Sequence, residues 1–172
     1  YLEGGEDAVG TASGLGAIST AVMSLIKQGD HIIFGDVIYG CTFALFTKIL
    51  PSFGIEYSIV DTTDVDAIKA AIRPNTTLVY VETPANPVLK ISDIQEISKM
   101  LKEYDGIKMV VDSTFASPYL QNPLKLGADV VVHSATKYIG GHGNVTAGVI
   151  AGSKELVARL NTFTLFMTVL TA

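Results

Sequence analysis

Apolar residues in this chain alternate between helical spacing and short unbroken runs, and the switches come at regular intervals. Ile18, Val22, Leu25 and Ile26 recur at helical spacing and predict a helix over 17–27, stopped at Gly29 and Asp30. The run 31–35 then reads as a strand. Phe43, Phe46, Leu50 and Phe53 predict a second helical segment, weakened at Pro51 and closed by Gly54. The pattern continues as a strand over 55–60, a helix over 64–72, a strand over 77–82, a helix over 92–104 and a strand over 108–112. Past a loop containing Pro118 and Pro123 come a strand over 129–133 and a further apolar run over 145–151.

Strands and helices that alternate at these lengths call for right-handed crossovers. They predict an α/β fold with three α/β/α layers around a mostly parallel sheet. Composition agrees, since 48% hydrophobic and 17% charged residues suit a sheet covered on both faces. Without repeats, low-complexity tracts or a linker, residues 1–172 read as one domain. Lys27, Lys48, Asp61 and Glu82 interrupt the apolar stretches before any reaches the roughly 18 residues of a spanning helix, so no membrane association is expected. Twelve Lys and Arg against 17 Asp and Glu give a net charge of −5 with no basic cluster, which argues against nucleic acid as a partner. The first residues carry no secretory pattern, and the single Cys41 excludes an internal disulfide, so a cytoplasmic protein is expected. Tyr1 in place of an initiating methionine, and an apolar 163–169 without a stop signal, read as the interior of a longer sequence.

In open α/β sheets, ligands gather beyond the carboxyl ends of the strands. The residues there are Asp36 and Tyr39; Glu82, Pro84 and Asn86; Asp112 and Thr114; and Ser134, Thr136 and Lys137. Each has a plain reading. Asp112 suits a turn cap with Ser113, Tyr39 a packed aromatic, Glu82 to Asn86 a proline turn, Lys137 a solvated loop residue and Cys41 a small buried hydrophobe. The stretch from Ser13 through Gly14, Leu15 and Gly16 suits either an N-capped helix or a seat for an anion at a helix N-terminus. His142 shows no metal-ligand spacing with His31 or His133, and no metal is expected. Taken as a set, anion donors, a buried acid for a ring nitrogen, a stacking aromatic and a lysine amine are the parts that hold pyridoxal phosphate.

The ordered motifs Ser13-Gly14-Leu15-Gly16-Ala17, Tyr39-Gly40, Glu82-Thr83-Pro84-Ala85-Asn86-Pro87, Val111-Asp112-Ser113-Thr114 and His133-Ser134-Ala135-Thr136-Lys137-Tyr138 resemble the Cys/Met-metabolism family of pyridoxal-phosphate enzymes. That resemblance spans residues 2–159. It implies the large cofactor-binding domain of a fold type I (aspartate-aminotransferase-like) enzyme, with an N-terminal segment and a C-terminal domain lying outside this chain. It also implies a covalent link between the cofactor and Lys137, Asp112 on the pyridine nitrogen, Tyr39 stacked on the ring and Asn86 near the ring's 3-oxygen. The phosphate would rest on the backbone of Gly14 and Leu15 and the hydroxyls of Ser134 and Thr136, with Glu82 and Thr114 supporting.

Lys137 would move protons on the substrate, and Tyr39 would be the acid for a departing sulfur. Within the family, Tyr39-Gly40-Cys41-Thr42 resembles the methionine γ-lyases, which places the Cys41 thiol near the sulfur end of an amino-acid substrate. Cystathionine γ-lyase, cystathionine γ-synthase and O-acylhomoserine sulfhydrylase are the alternatives within the family, and a non-catalytic binding module the alternative outside it. The only arginines, Arg73 and Arg159, lie outside the matched motifs. The resemblance therefore implies a homotetramer of dimers with shared active sites, in which a neighbouring subunit completes the phosphate site.

Overall fold

The computed structural model describes residues 1–170, with side chains through residue 162; the side chains of the apolar stretch 163–169 lie outside the described residues. Seven strands form one sheet: β1 (Asp7–Thr11), β2 (His31–Gly35), β3 (Glu56–Val60), β4 (Thr76–Glu82), β5 (Lys108–Asp112), β6 (Val130–His133) and β7 (Gly148–Gly152). Their order across the sheet is β1-β7-β6-β5-β4-β2-β3. β3, β2, β4, β5 and β6 are mutually parallel, while β7 runs antiparallel to both β6 and β1. The expected mostly parallel sheet is present, with one reversed strand.

The helices are α1 (Gly14–Leu25), α2 (Gly40–Ala44), α3 (Val65–Ala71), α4 (Ile94–Leu101), α5 (Ser117–Leu120) and α6 (Lys154–Leu170). The second predicted helix is only partly regular: α2 passes into a π turn over Leu45–Ile49 and a 3-10 turn over Leu50–Phe53 that ends at Gly54 with φ 76°. Pro51 explains the tightening, because its ring removes an N–H donor from the helix ladder.

Side chains of successive strand residues point to opposite faces, and each face has its own core. Ile32, Phe34, Leu78, Tyr80 and Val110 pack with Ala17, Ile18 and Val22 of α1 and Val157 and Leu160 of α6. On the other face Ile33, Val79, Val81, Met109 and Val111 pack with Ile68 of α3 and Ile97 of α4. These are the three expected layers. β2 has no exposed residue and β4 only one that is even half-buried, as near-continuous apolar strands covered on both sides should be.

The loop read around Pro118 holds the short helix α5, and two strands also differ from the pattern read in the sequence. β1 is absent from that reading because Asp7-Ala8-Val9-Gly10-Thr11 buries only Val9 and offers no alternation. The apolar run over 145–151 yields a strand displaced toward its end, at Gly148–Gly152. Gly148 lies so close to the β1–α1 connection that a Cβ there would stand 2.2 Å from the Ser13 carbonyl oxygen, so close packing fixes this strand more than propensity does.

Candidate active site

The carboxyl ends of β2, β4, β5 and β6 and the amino end of α1 open onto one cavity of about 680 Å³. Gly14, Leu15, Tyr39, Glu82, Asn86, Asp112, Thr114, Ser134, Thr136 and Lys137 all line it. Cys41 does not; it is exposed, one step behind Tyr39. Its thiol donates to the Tyr39 phenol oxygen at 3.4 Å, so it reaches the cavity only through that phenol.

α1 supplies an anion seat. Ser13 Oγ accepts from the Gly16 N–H at 3.0 Å, and the Ser13 carbonyl accepts from the Ala17 N–H at 3.0 Å. Those bonds use the third and fourth N–H groups of the helix and leave those of Gly14 and Leu15 without partners among the described residues. The capped helix and the anion seat, alternatives in the sequence, therefore coexist. A Cβ at Gly14 would stand 2.5 Å from Ser134 Cβ, so only glycine lets the Ser134 loop close against this helix end. Ser134 Oγ, on that loop, makes no hydrogen bond among the described residues and is available to the same anion. Thr136 differs from expectation: its hydroxyl donates to the Ala147 carbonyl at 3.2 Å and accepts from the Ala147 N–H at 3.0 Å. In this geometry its one proton braces the loop.

Asp112 closes β5 and is buried. Its Oδ1 accepts from both the N–H (2.9 Å) and the hydroxyl (2.5 Å) of Thr114, and its Oδ2 accepts from Tyr80 at 3.1 Å. The turn-capping reading of Asp112 is thus realised by Oδ1 and Thr114. Oδ2 keeps acceptor capacity toward the cavity. Burial raises this carboxyl above its ordinary pKa, against the Thr114 and Tyr80 hydrogen bonds that pull it down. A cationic N–H in the cavity would relieve that cost, as the pyridine nitrogen of pyridoxal phosphate does when protonated. The Thr114 hydroxyl also accepts from the Ser134 N–H at 2.8 Å, so one side chain spaces the acid from the anion seat.

Glu82 closes β4 directly beside Asp112, its partner in the β4–β5 register. Burial first, then the charge of Asp112, raises its pKa to about 7. Tyr39 is 46% exposed over the cavity. Lys137 sits in a turn in which its N–H donates to the Ser134 carbonyl at 3.0 Å and its carbonyl accepts from the Gly141 N–H at 2.8 Å. Its exposed amine forms no ion pair among the described residues. The donor set therefore fits pyridoxal phosphate: N–H groups and a hydroxyl at one end, a buried acid at the side, and an uncommitted amine.

Sequence reasoning missed Tyr80, the phenol that holds Asp112 Oδ2. Its signal was parity: two residues before Glu82, it shares that residue's face of β4 and needs a polar partner when buried. Phe115 and Tyr138, an edge-to-face pair at 6.2 Å, also line the cavity; Tyr138 ends a quoted motif without a role assigned to it, and no local pattern marks Phe115.

Comparison with known proteins matches residues 1–169 to the Cys/Met metabolism PLP-dependent enzyme family. The chain belongs to that family. Over 159 residues it is 52% identical to an L-methionine gamma-lyase of Fusobacterium nucleatum subsp. polymorphum, an alignment covering 92% of this chain and 40% of that protein. Over 160 residues it is 51% identical to a cystathionine beta-lyase of Lactococcus lactis subsp. cremoris, covering 92% of this chain and 42% of the relative. The chain thus spans about 40% of the length of the curated relatives it matches. The crystal structure of cystathionine gamma-lyase from Lactobacillus plantarum complexed with L-serine superposes with a TM-score of 0.91 at 45% identity, over 94% of this chain and 42% of that one. Membership makes the expected cofactor, pyridoxal phosphate, that of the family, and the neighbour agrees with the expected fold type.

Proposed function

We propose that the protein acts as a pyridoxal-phosphate-dependent carbon–sulfur lyase on sulfur amino acids, and that its substrate is methionine, cleaved with water to methanethiol, 2-oxobutyrate and ammonia. The observation that carries the lyase reading is the convergence of Lys137, Asp112, Tyr39 and the free N–H groups of Gly14 and Leu15 on one cavity. For methionine in particular, support comes from the Cys41 thiol lying 3.4 Å from the Tyr39 phenol.

The cofactor, when bound, supplies an electron sink for negative charge developing on the substrate carbons. Gly14, Leu15 and Ser134 would hold its phosphate by N–H and hydroxyl donors, and Asp112 Oδ2 would accept from its ring nitrogen. Tyr39 would cover the ring, with Asn86 on the loop beside it. Lys137 would be the residue that anchors the cofactor, and its amine is the group placed to take the proton from the substrate's α-carbon and to carry protons between positions as a general base and acid. Tyr39 donates a proton to the departing sulfur. An ordinary phenol stays protonated at neutral pH, and the Cys41 thiol, donating to its oxygen, leaves the phenol proton free.

Lys137→Ala is expected to end turnover and to leave borohydride unable to fix the cofactor to the chain; a variant with full γ-elimination removes the assignment. Release of methanethiol and 2-oxobutyrate from methionine, compared with turnover of cystathionine and O-acetylhomoserine by the full-length enzyme, tests the substrate. A second reading, cleavage of cystathionine, has the support of the 51% identical cystathionine beta-lyase, and preferential turnover of cystathionine would establish it.

In the oligomer we envisage, a homotetramer of dimers, a neighbouring subunit contributes cationic side chains to the phosphate seat. Among the described residues, Lys137 is the only cation that lines the cavity.

A further inference from the structure

Glu82 faces the cavity without a cationic partner among the described residues, and its neighbour across the sheet is another carboxylate, Asp112. What it does contact is backbone. Oε2 accepts from the Tyr39 N–H at 2.8 Å and Oε1 from the Asn86 N–H at 2.9 Å. These donors belong to different connections, one following β2 and one following β4. Tyr39 is the N-cap of α2 and has no side-chain cap of its own. An N-cap N–H is commonly satisfied by an acidic side chain three residues further along. Here a carboxylate 43 residues away does so and reaches a second loop with its other oxygen.

We propose that Glu82 is a positioning residue whose single carboxylate clips the Tyr39 and Asn86 loops into one rigid wall, so that the aromatic ring and the amide meet a planar cofactor as a unit. This role rests on the cavity being the cofactor site. A second tie closes the outer end of the same wall: Lys90 Nζ reaches Asp36 Oδ2 at 3.1 Å and Asp61 Oδ2 at 2.8 Å, joining the 83–91 loop to the ends of β2 and β3. Those groups are partly exposed, whereas Glu82 is only 6% exposed. Exposed ion pairs contribute little, and hydrogen bonds from backbone N–H groups to a buried carboxylate contribute more. The inner clip therefore dominates.

Glu82→Gln tests the clip at nearly constant shape. A glutamine offers one acceptor oxygen, and its NH2 confronts the second N–H donor, so one loop must let go. In the full-length enzyme, Glu82→Gln is expected to bind pyridoxal phosphate about ten- to hundredfold more weakly. Its visible circular dichroism per bound cofactor should also shrink, since that band reports a ring held in one orientation. Lys90→Gln should change both much less. Unchanged affinity and an unchanged dichroic band in a folded Glu82→Gln enzyme would overturn the role.

Hydrogen exchange in the cofactor-free wild type needs no variant. Peptides spanning 36–42 and 83–91 should gain deuterium together if one clip holds both, and independent exchange overturns it. Failure of the wild type to bind pyridoxal phosphate at all would instead sink the functional reading, leaving the exchange result to decide the clip.

Discussion

Glu82 also carries a pH signature at the scale of one residue. Its pKa rises from 4.5 to about 7 in the folded protein, because burial and the Asp112 charge disfavour the carboxylate. Between those values the folded state holds a proton that the unfolded chain has released. Stability therefore falls as pH climbs through that window, and is least eroded below it. The loss is on the order of 2–3 kcal/mol for a group this buried. Asp112, also raised, acts in the same direction. Asp61, lowered to about 2 by Lys90 and Thr63, acts only in acid, where its contribution fades as pH falls through that value. Urea unfolding of the cofactor-free protein at pH 5 and pH 8 should show this drop, and Glu82→Gln should reduce it; an equal drop in the variant would contradict the assignment. At this scale, residue types that carry chemistry were legible in the sequence, since Lys137, Asp112 and Tyr39 all face the cavity. Hydrogen-bond direction was not. Nothing in the sequence says that Thr136 spends its proton on Ala147, or that Glu82 holds two loops rather than a ligand.

Among the elements, the contact between the amino end of α1 and the loop after β6 decides whether an anion seat exists. Gly14→Ala places a methyl 2.5 Å from Ser134 Cβ and 2.8 Å from Ser134 Cα, which neither a buried helix start nor a braced loop yields easily. Overpacking of this kind costs roughly 1–3 kcal/mol. The expected outcome is a lower urea midpoint together with weaker binding of cofactor and of inorganic phosphate. A midpoint unchanged from wild type would show that the loop moves aside freely. The same contact explains which elements could be read beforehand. Helices α1, α3 and α4 were legible as helical segments, and the structure caps them with Ser13, Asp64 and Asp93. β1 and the true span of β7 were not legible, because these glycine-containing strands are placed by what lies beside them. Gly148 meets Ser13, Gly152 approaches the Asp129 carbonyl, and β1 is an edge strand paired only with β7. Such approaches between distant segments leave no periodic trace.

Over the whole molecule, charge is the unresolved quantity in the proposed site. A bound phosphate monoester brings close to two negative charges into a chain whose net charge is already −5. The cavity offers it Lys137 as a cation, but also the carboxylates Glu82 and Asp112. Arg73 is committed to Glu56 at 2.9 Å on the edge strand β3, and exposed Arg159 on α6 is not among the lining residues. The N–H groups of Gly14 and Leu15 and the Ser134 hydroxyl orient the phosphate, yet dipoles alone leave most of that charge uncompensated. A neighbouring subunit that supplies cations would make cofactor binding and assembly mutually dependent: whatever binds only the assembled form favours assembly, and assembly tightens binding by the same factor. Cofactor affinity of the full-length enzyme should therefore weaken on dilution through the subunit dissociation range, and cofactor should shift sedimentation toward the larger species. A dilute monomer that binds cofactor as tightly as the assembled enzyme would place the missing charge within its own chain, outside these 172 residues, and would remove the reason for a shared site.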